Sequence, residues 1–159
     1  MSIVEGYRFE PMIGDPDDHR PASTWALLVD PGDAAGQVDD LAVIAERIGP
    51  GDRIPLHVHR VSEVILAHGP GTFRLGDVER AVNDGAVMFI PAGVPHGFHN
   101  DGTDPLPLQA VFPTTRIWMR YLERNAAPGT ETDAPTGAAT YDLRTGDVEF
   151  DEPIEADEA

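Results

Sequence analysis

The chain has 159 residues, contains no cysteine and carries a formal net charge of −17 at pH 7. This length suits one domain with extensions and allows a real hydrophobic core, while the lack of thiols excludes disulfides, thiolate metal ligands and a cysteine nucleophile. Every one of the 11 basic residues is arginine, and so acidic a chain is not expected to bind nucleic acid or anionic membranes.

The N-terminal part of the chain predicts short strands separated by loops. A strand is predicted at residues 3–9, a loop at 12–20, a second strand at 24–29 and a polar, turn-rich segment at 33–40. Composition alone leaves helix and strand close to even for residues 41–48. The N-terminus shows no basic region followed by an apolar run, and no apolar stretch reaches membrane-spanning length, so we expect a soluble cytoplasmic protein.

Two histidines and a carboxylate follow, at His57, His59 and Glu63. The apolar and β-branched residues around them favour an extended strand that continues past Glu63 to His68. Because side chains alternate between the two faces of a strand, residues two or four apart point the same way. Two imidazoles and one carboxylate that converge from one strand predict a transition-metal site.

A second segment, residues 85–100, predicts a strand, a Pro-Ala-Gly turn at 91–93 and another strand. The turn delivers His96 to the start of that strand, from where its side chain can face an adjacent sheet. Between the two segments, residues 72–82 predict a hairpin around the favoured Gly-Asp turn pair at 76–77. The short spacing leaves no room for an inserted domain.

These two segments resemble the two sequence motifs of the cupins. The first motif combines a glycine, His-x-His, a glutamate and a closing glycine, and the second combines a glycine, Pro-x-Gly, a histidine and an asparagine. The matching positions are Gly51, His57, His59 and Glu63 in the first motif and Gly85, Pro91, Gly93, His96 and Asn100 in the second. Pro70 stands where the first motif expects its closing glycine, which varies a hairpin turn and leaves the candidate ligands untouched.

The resemblance implies an all-β fold, a single jelly-roll β-barrel or double-stranded β-helix. It also implies one divalent transition metal (Fe, Mn, Ni, Cu or Zn), with these ligands: His57, His59, Glu63 and His96. Glu63 has an alternative role as a general base beside a three-histidine metal. We therefore predict three parts: N-terminal strands and loops packed on the barrel (1–40), the cupin barrel core (41–112) and a C-terminal extension (113–159).

The barrel's strands carry two further predictions. The resemblance makes residues 41–48 a strand, and the last strand, 106–112, is predicted at a sheet edge because Pro105 and Pro107 lie near its start. If the candidate ligands face the interior, strand parity places these residues inside: Val61, Ile65 and Ala67. It places these outside: Leu56, Val58, Val64 and Leu66. Such an outward apolar row must be covered, and we favour a homodimer over cover by the N-terminal segment.

The C-terminal extension is the most acidic part of the chain, because residues 126–159 hold 10 acidic residues and 1 basic residue. Residues 114–124 are compatible with one amphipathic helix, and a strand stays open as the alternative. Residues 126–140 are rich in Pro, Gly, Ala and Thr and predict a linker. Residues 141–150 predict a hairpin or an added strand.

Other side chains near the motifs receive structural roles. Large apolar side chains are expected to fill the barrel: Phe73, Met88, Phe98 and Phe112. His68 and His99 have the opposite parity from the ligands and are expected at the surface or an interface. Asn100 is expected to cap the turn after its strand. Gln109 and Arg74 are weaker candidates for polar groups in a ligand pocket.

The four candidate ligands leave one or two positions open on an octahedral metal, where O2, water or a chelating substrate can bind. The sequence therefore favours a metal-dependent enzyme, first of all an O2-dependent dioxygenase acting on a small organic substrate, with Glu63 as ligand and proton acceptor. Two alternatives stay open. One is a lyase, cyclase or isomerase that uses the metal as a Lewis acid, and the other is a non-catalytic cupin that binds a metal or a small molecule.

Overall fold

The computed structural model describes residues 2–32 and 37–151, and these residues form strands, turns and loops without a helix. None of the described elements is therefore a helix that could cross a membrane. Part of the polar segment predicted at 33–40, and the acidic residues after Asp151, lie outside the described residues. The strands are β1 Glu10–Met12, β2 Arg20–Val29, β3 Ala42–Ile48, β4 Arg53–His59, β5 Glu63–Ala67, β6 Gly71–Leu75, β7 Val78–Val82, β8 Val87–Ile90, β9 His96–His99, β10 Leu106–Phe112, β11 Arg116–Tyr121, β12 Ala138–Asp142 and β13 Val148–Phe150.

The strands form two antiparallel sheets. One has six strands in the order β1-β2-β3-β10-β5-β8, and the other has seven in the order β13-β12-β11-β4-β9-β6-β7. From β3 to β11 the chain crosses from one sheet to the other at every step except the β6–β7 hairpin. This alternation winds the chain around a common interior, and it confirms the all-β jelly-roll prediction.

Apolar side chains from both sheets fill part of this interior. The largest cluster consists of Ile48, Ile65, Ala67, Phe73, Met88, Ile90, Phe98, Leu106 and Leu108. Phe73, Met88 and Phe98 thus fill the barrel as predicted. Phe112 is also buried, but it lies apart from this cluster and packs edge-on against His59, with ring centroids 5.1 Å apart. The apolar cluster therefore does not fill the interior around His59, and this part of the barrel is available for a functional site.

Several strands lie where the sequence predicted them. β3 confirms the strand at residues 41–48, and β6 and β7 pair around the Gly-Asp turn at 76–77. β11 pairs with both β4 and β12, so the helix considered for residues 114–124 is wrong and the strand alternative holds. β12 and β13 form the predicted C-terminal hairpin. No observation tests the three-part division of the chain, which stays a prediction.

The strand predicted at residues 3–9 is wrong, because strand pairing begins only at β1. The second predicted strand exists as β2, which starts earlier than predicted, at Arg20. Phe9 lies instead under the Arg47 guanidinium, whose central carbon is 3.8 Å from the ring centroid. The apolar residues of this segment favour extended structure, but they carry no information on whether a neighbouring strand is free to pair.

The edge position predicted for β10 is also wrong, because β10 lies between β3 and β5. The carbonyl of Pro107 accepts a hydrogen bond from His68 N–H at 2.9 Å, so its nitrogen faces the same side. The β10–β5 pairing begins only at the next residue, Leu108, opposite Ala67. The missing proline N–H therefore lies at the last hydrogen-bonded position of this pairing, where the proline is tolerated in a central strand.

The single extended strand predicted from His57 past Glu63 is interrupted. β4 ends at His59, a turn at residues 60–62 crosses to the other sheet, and β5 begins at Glu63. The predicted inward set divides accordingly, because Ile65 and Ala67 are buried whereas Val61 lies half-buried in the crossing turn.

The predicted outward row is likewise divided between two sheets. Leu56 and Val58 lie on β4, and Val64 and Leu66 lie on β5. Val58 is only 7% exposed, so the chain itself covers it. One continuous apolar stripe therefore does not exist, because the crossing turn separates its two halves.

Candidate metal centre

The structure brings the four predicted side chains together inside the barrel. His57 and His59 come from β4, His96 begins the neighbouring β9, and Glu63 begins β5 in the other sheet. Their exposed fractions are 6%, 4%, 1% and 5% in that order. One potential ligand atom from each lies within 4.8 Å of those of the other three. The cluster can therefore hold a metal ion, with one carboxylate and three imidazoles as donors.

Local backbone features shape this convergence. A β-bulge between Ile54 and His57 shifts the register of β4 against β9, and Pro55 lies inside it. Gly97 faces the bulge so closely that a Cβ there would lie 2.8 Å from the Ile54 carbonyl oxygen. Only glycine permits this approach, which brings His57 opposite His96.

The Pro-Ala-Gly turn predicted from the second motif connects the two histidine-bearing segments. Gly93 adopts a positive φ of 78°, which glycine enters at little cost. Its N–H donates a hydrogen bond to the His59 carbonyl at 2.8 Å. The turn is thereby fastened to the end of β4, and β9 starts from it at His96.

Each histidine is oriented by a backbone carbonyl. The Nδ1 atoms of His57, His59 and His96 lie 2.8, 3.1 and 2.9 Å from the carbonyl oxygens of Pro55, Trp118 and Val94. A carbonyl only accepts hydrogen bonds, so each Nδ1 carries the hydrogen and each Nε2 of a neutral ring presents a lone pair. Backbone acceptors of this kind fix the tautomer and the ring orientation in metal-binding histidines.

The contact between Glu63 and His96 fits a bound cation. Glu63 Oε2 lies 2.6 Å from His96 Nε2 and 3.6 Å from His59 Nε2. With Nδ1 of His96 already donating to Val94, two lone pairs would face each other at 2.6 Å unless a proton or a metal ion joined them. The donor set thus supplies what a divalent metal requires.

The electrostatics keep two of the rings neutral. Burial lowers the pKa of His57 well below its usual value, and His96 and His59 lower it further. Burial also lowers the pKa of His59, although the Glu63 carboxylate acts in the opposite direction. A histidine must be neutral to bind a metal, so these rings need not lose a proton near pH 7.

The cluster lies on the wall of a cavity of about 590 Å³. This volume is within the range of about 300–1,000 Å³ seen for sites of drug-sized ligands. Apolar side chains provide most of the rest of its lining, among them Trp25, Leu27, Ile44, Leu108, Phe112 and Met119. The cavity can therefore take a small molecule with a large apolar part.

Two predicted pocket residues do not line this cavity. Arg74 pairs with Glu123 on the outside of the seven-stranded sheet, and Gln109 contacts His68 at 3.3 Å on the outside of the other. His68 is exposed and the His99 side chain is 44% exposed beside Asp101, so both surface predictions are confirmed. Asn100 is buried and bonds to the Ile48 and Asp104 carbonyls, so it connects two loops as well as capping its own turn.

Sequence reasoning missed a second polar group on the cavity wall, which we call the acidic wall group. Its members are Asp15, Asp18, Arg20, Glu46, Tyr121 and Tyr141. Arg20 lay at the end of a predicted loop and Tyr121 in a possible helix, so neither pointed to a cavity. The sequence offered no signal for Arg20, because the buried residues at the start of β2 are Arg20, Ser23 and Ala26, which do not follow the two-residue alternation of a strand.

Comparison with known proteins agrees with this architecture. Residues 45–112 match the family model described as the cupin domain. A search of curated proteins finds no match. Together with the jelly-roll fold and the cluster of three histidines and a glutamate, the match identifies residues 45–112 as a cupin domain.

Several solved structures share the fold at low sequence identity. The polyketide cyclase RemF from Streptomyces resistomycificus is 21% identical with a TM-score of 0.61, over 85% of this chain and 94% of that one. A sugar phosphate isomerase from Silicibacter pomeroyi is 20% identical with a TM-score of 0.63, over 96% and 94%. Salicylate 1,2-dioxygenase from Pseudoaminobacter salicylatoxidans is 17% identical with a TM-score of 0.52, over 63% of this chain and 27% of that one.

Proposed function

We propose that this cupin is a metal-dependent enzyme that acts on a small organic substrate, and that the reaction is an O2-dependent dioxygenation. The observation that carries the proposal is the position of the four candidate ligands, buried on the wall of a large, mainly apolar cavity. A structural metal site would be closed, whereas this one opens onto space that a substrate can fill. Glu63 and the three histidines would hold one divalent ion.

A redox-capable metal at this position would supply open coordination positions and bring O2 together with an electron-rich substrate. The chain itself contributes binding and orientation. Phe112 and Trp25 offer flat apolar surfaces against which a substrate can pack. Glu63 is also placed to accept a proton from a substrate hydroxyl, since its Oε2 faces the centre of the cluster.

The experiment that tests the proposal combines reconstitution with an oxygen electrode. Chelated protein is reloaded in parallel with Fe, Mn, Ni, Cu and Zn, and small enolisable or phenolic compounds are screened in air and without oxygen. We expect turnover that consumes O2 and requires a redox-capable metal. Equal turnover without O2, or full activity with Zn alone, would reject the dioxygenase reaction.

A second candidate reaction is Lewis-acid catalysis, as in a cyclase, lyase or isomerase. One observation favours it: Tyr121 and Tyr141 both donate to the same Asp15 oxygen, each at 3.4 Å, on the cavity wall. These groups can shuttle a proton to and from a substrate without any redox step. Anaerobic turnover that Zn supports, and that Tyr121→Phe slows with little change in KM, would select this reaction.

A further inference from the structure

The acidic wall group lies beside the histidine cluster. The Tyr121 ring centroid is 6.1 Å from that of His57, and the two residues pair across β11 and β4. Arg20, on the same wall, is only 2% exposed. A ligand that reaches the metal cluster must therefore also face this polar group.

The single arginine of the group is already occupied. Its Nε and Nη2 donate to the two carboxylate oxygens of Asp18, and its Nη1 donates to Glu46, all at 2.8 Å. Both carboxylates are largely buried with it. Arg20 is thus surrounded by compensating charge and is poorly suited to receive an anionic substrate group.

The remaining members add negative charge and neutral hydroxyl groups. Asp15 Oδ1 accepts the Asp17 N–H at 2.8 Å, and its Oδ2 receives only the two long contacts from the tyrosine hydroxyls. Burial, together with the nearby aspartates, raises the pKa of Tyr121 and Tyr141 above its usual value, so both stay protonated. Three carboxylates therefore stand against one guanidinium, and among the described residues that line the cavity no other arginine is present.

We infer that the ligand of this cavity is a hydroxyl-bearing molecule without an anionic group, whose apolar body fills the cavity and whose hydroxyl donates to Asp15 at the acidic wall. The inference rests on the proposed function, because it names the substrate class for the same site. A phosphate or carboxylate at this end would meet net negative charge, whereas a hydroxyl replaces the two long tyrosine contacts with a direct hydrogen bond. The same carboxylates would also attract a cationic group, and an amine probe distinguishes that attraction from a hydroxyl hydrogen bond.

The test measures binding rather than turnover. Trp25 lines the cavity, whereas Trp118 stacks under Arg60 outside it, so Trp118→Phe leaves one tryptophan that reports ligand binding by fluorescence. Naphthalene-2,7-diol, its monophosphate and its aminomethyl analogue are titrated into metal-free and Zn-loaded protein. We expect the diol to bind at least about tenfold more tightly than the phosphate, because the carboxylates of the acidic wall group repel the charged phosphate.

The wall variants decide whether the acidic group causes the preference. Asp15→Asn and Glu46→Gln should each reduce the preference for the diol over the phosphate at least threefold, and the exposed outer-face variant Glu79→Gln should leave it unchanged. Preference for the phosphate or the amine, an unchanged preference in both wall variants, or no binding of any probe would overturn the inference. Selective diol binding by a protein without turnover would instead uphold the inference and reject the proposed function.

Discussion

The role of Glu63 can be decided with Glu63→Gln, which removes the anionic oxygen and keeps the size of the side chain. If Glu63 is a metal ligand, the variant loses the only carboxylate in the cluster. Losing a partner one shell further out already lowers metal affinity about 10–100-fold, so we expect a loss of at least about 100-fold here. That loss corresponds to about 2.8 kcal/mol, at about 1.4 kcal/mol for each tenfold change.

Folding should depend much less on this substitution. The glutamine side-chain amide can donate a hydrogen bond to the lone pair of His96 Nε2, and the apolar cluster around Ile65 does not include the metal site. We expect the metal-free variant to lose less than about 1.5 kcal/mol, which for a domain of this size lowers Tm by less than about 6 °C. A structural metal would predict the opposite, because its removal would unfold wild type and variant alike.

The assay is competition between the protein and a fluorescent chelator for Zn, combined with thermal unfolding of the metal-free and the loaded forms. His59→Gln serves as the matched control, since it removes one imidazole and keeps the carboxylate. Zn affinity within about threefold of wild type in Glu63→Gln, alongside lost turnover, would refute the ligand role and make Glu63 a general base.

Three further predictions concern stability and assembly. Asn100→Ala should cost about 2–3 kcal/mol in urea unfolding, because it leaves the buried Ile48 carbonyl and two loop partners unpaired, and a loss below about 1 kcal/mol would contradict this. For the homodimer that the sequence predicts, Phe89→Glu should halve the mass found by light scattering at micromolar concentration, since Phe89 is 75% exposed on the outside of β8, and a monomeric wild type would be the contrary result. Metal-free protein should lose stability as the pH falls below about 6.5, by up to about 1.4 kcal/mol per pH unit for each of His57 and His59. The reason is that both pKa values are lowered in the folded protein, so below this pH the unfolded chain binds more protons than the folded one. His57→Gln should reduce this pH dependence, and an unchanged slope would refute the assignment.

The candidate metal cluster could be predicted from the sequence because short spacings between its residues along the chain determine most of its geometry. His57 and His59 are two residues apart, so any extended conformation puts them on one face. His96 follows a proline and glycine turn whose N–H binds the end of β4, which is also a local arrangement. Glu63 reaches the cluster by a different route from the one predicted, because the chain turns and crosses to the facing sheet before it.

What the sequence could not provide is the pairing of segments that lie far apart in it. The edge position predicted for β10 was wrong. A proline shows that the strand lacks a backbone N–H donor at that position, but only the neighbouring strand shows whether the sheet needs a donor there. The acidic wall group was missed for the same reason, because Asp18 and Arg20 meet Glu46 and Tyr121 only through the pairing of distant strands. Composition assigns each of these residues to the surface, where most charged residues lie.

These two classes of residue have different consequences for function. The cluster of three histidines and Glu63 is the part that cupin motifs specify, and it leaves the reaction and the substrate open. The acidic wall group is assembled by the N-terminal loop around Asp15 and by β11 and β12, most of which lie outside the segment at residues 45–112 that matches the family. Chemical selectivity at the cavity is therefore expected to depend on the parts of the chain that flank the matched segment. A chain with the same motifs but other flanking segments would hold the same metal beside a different wall.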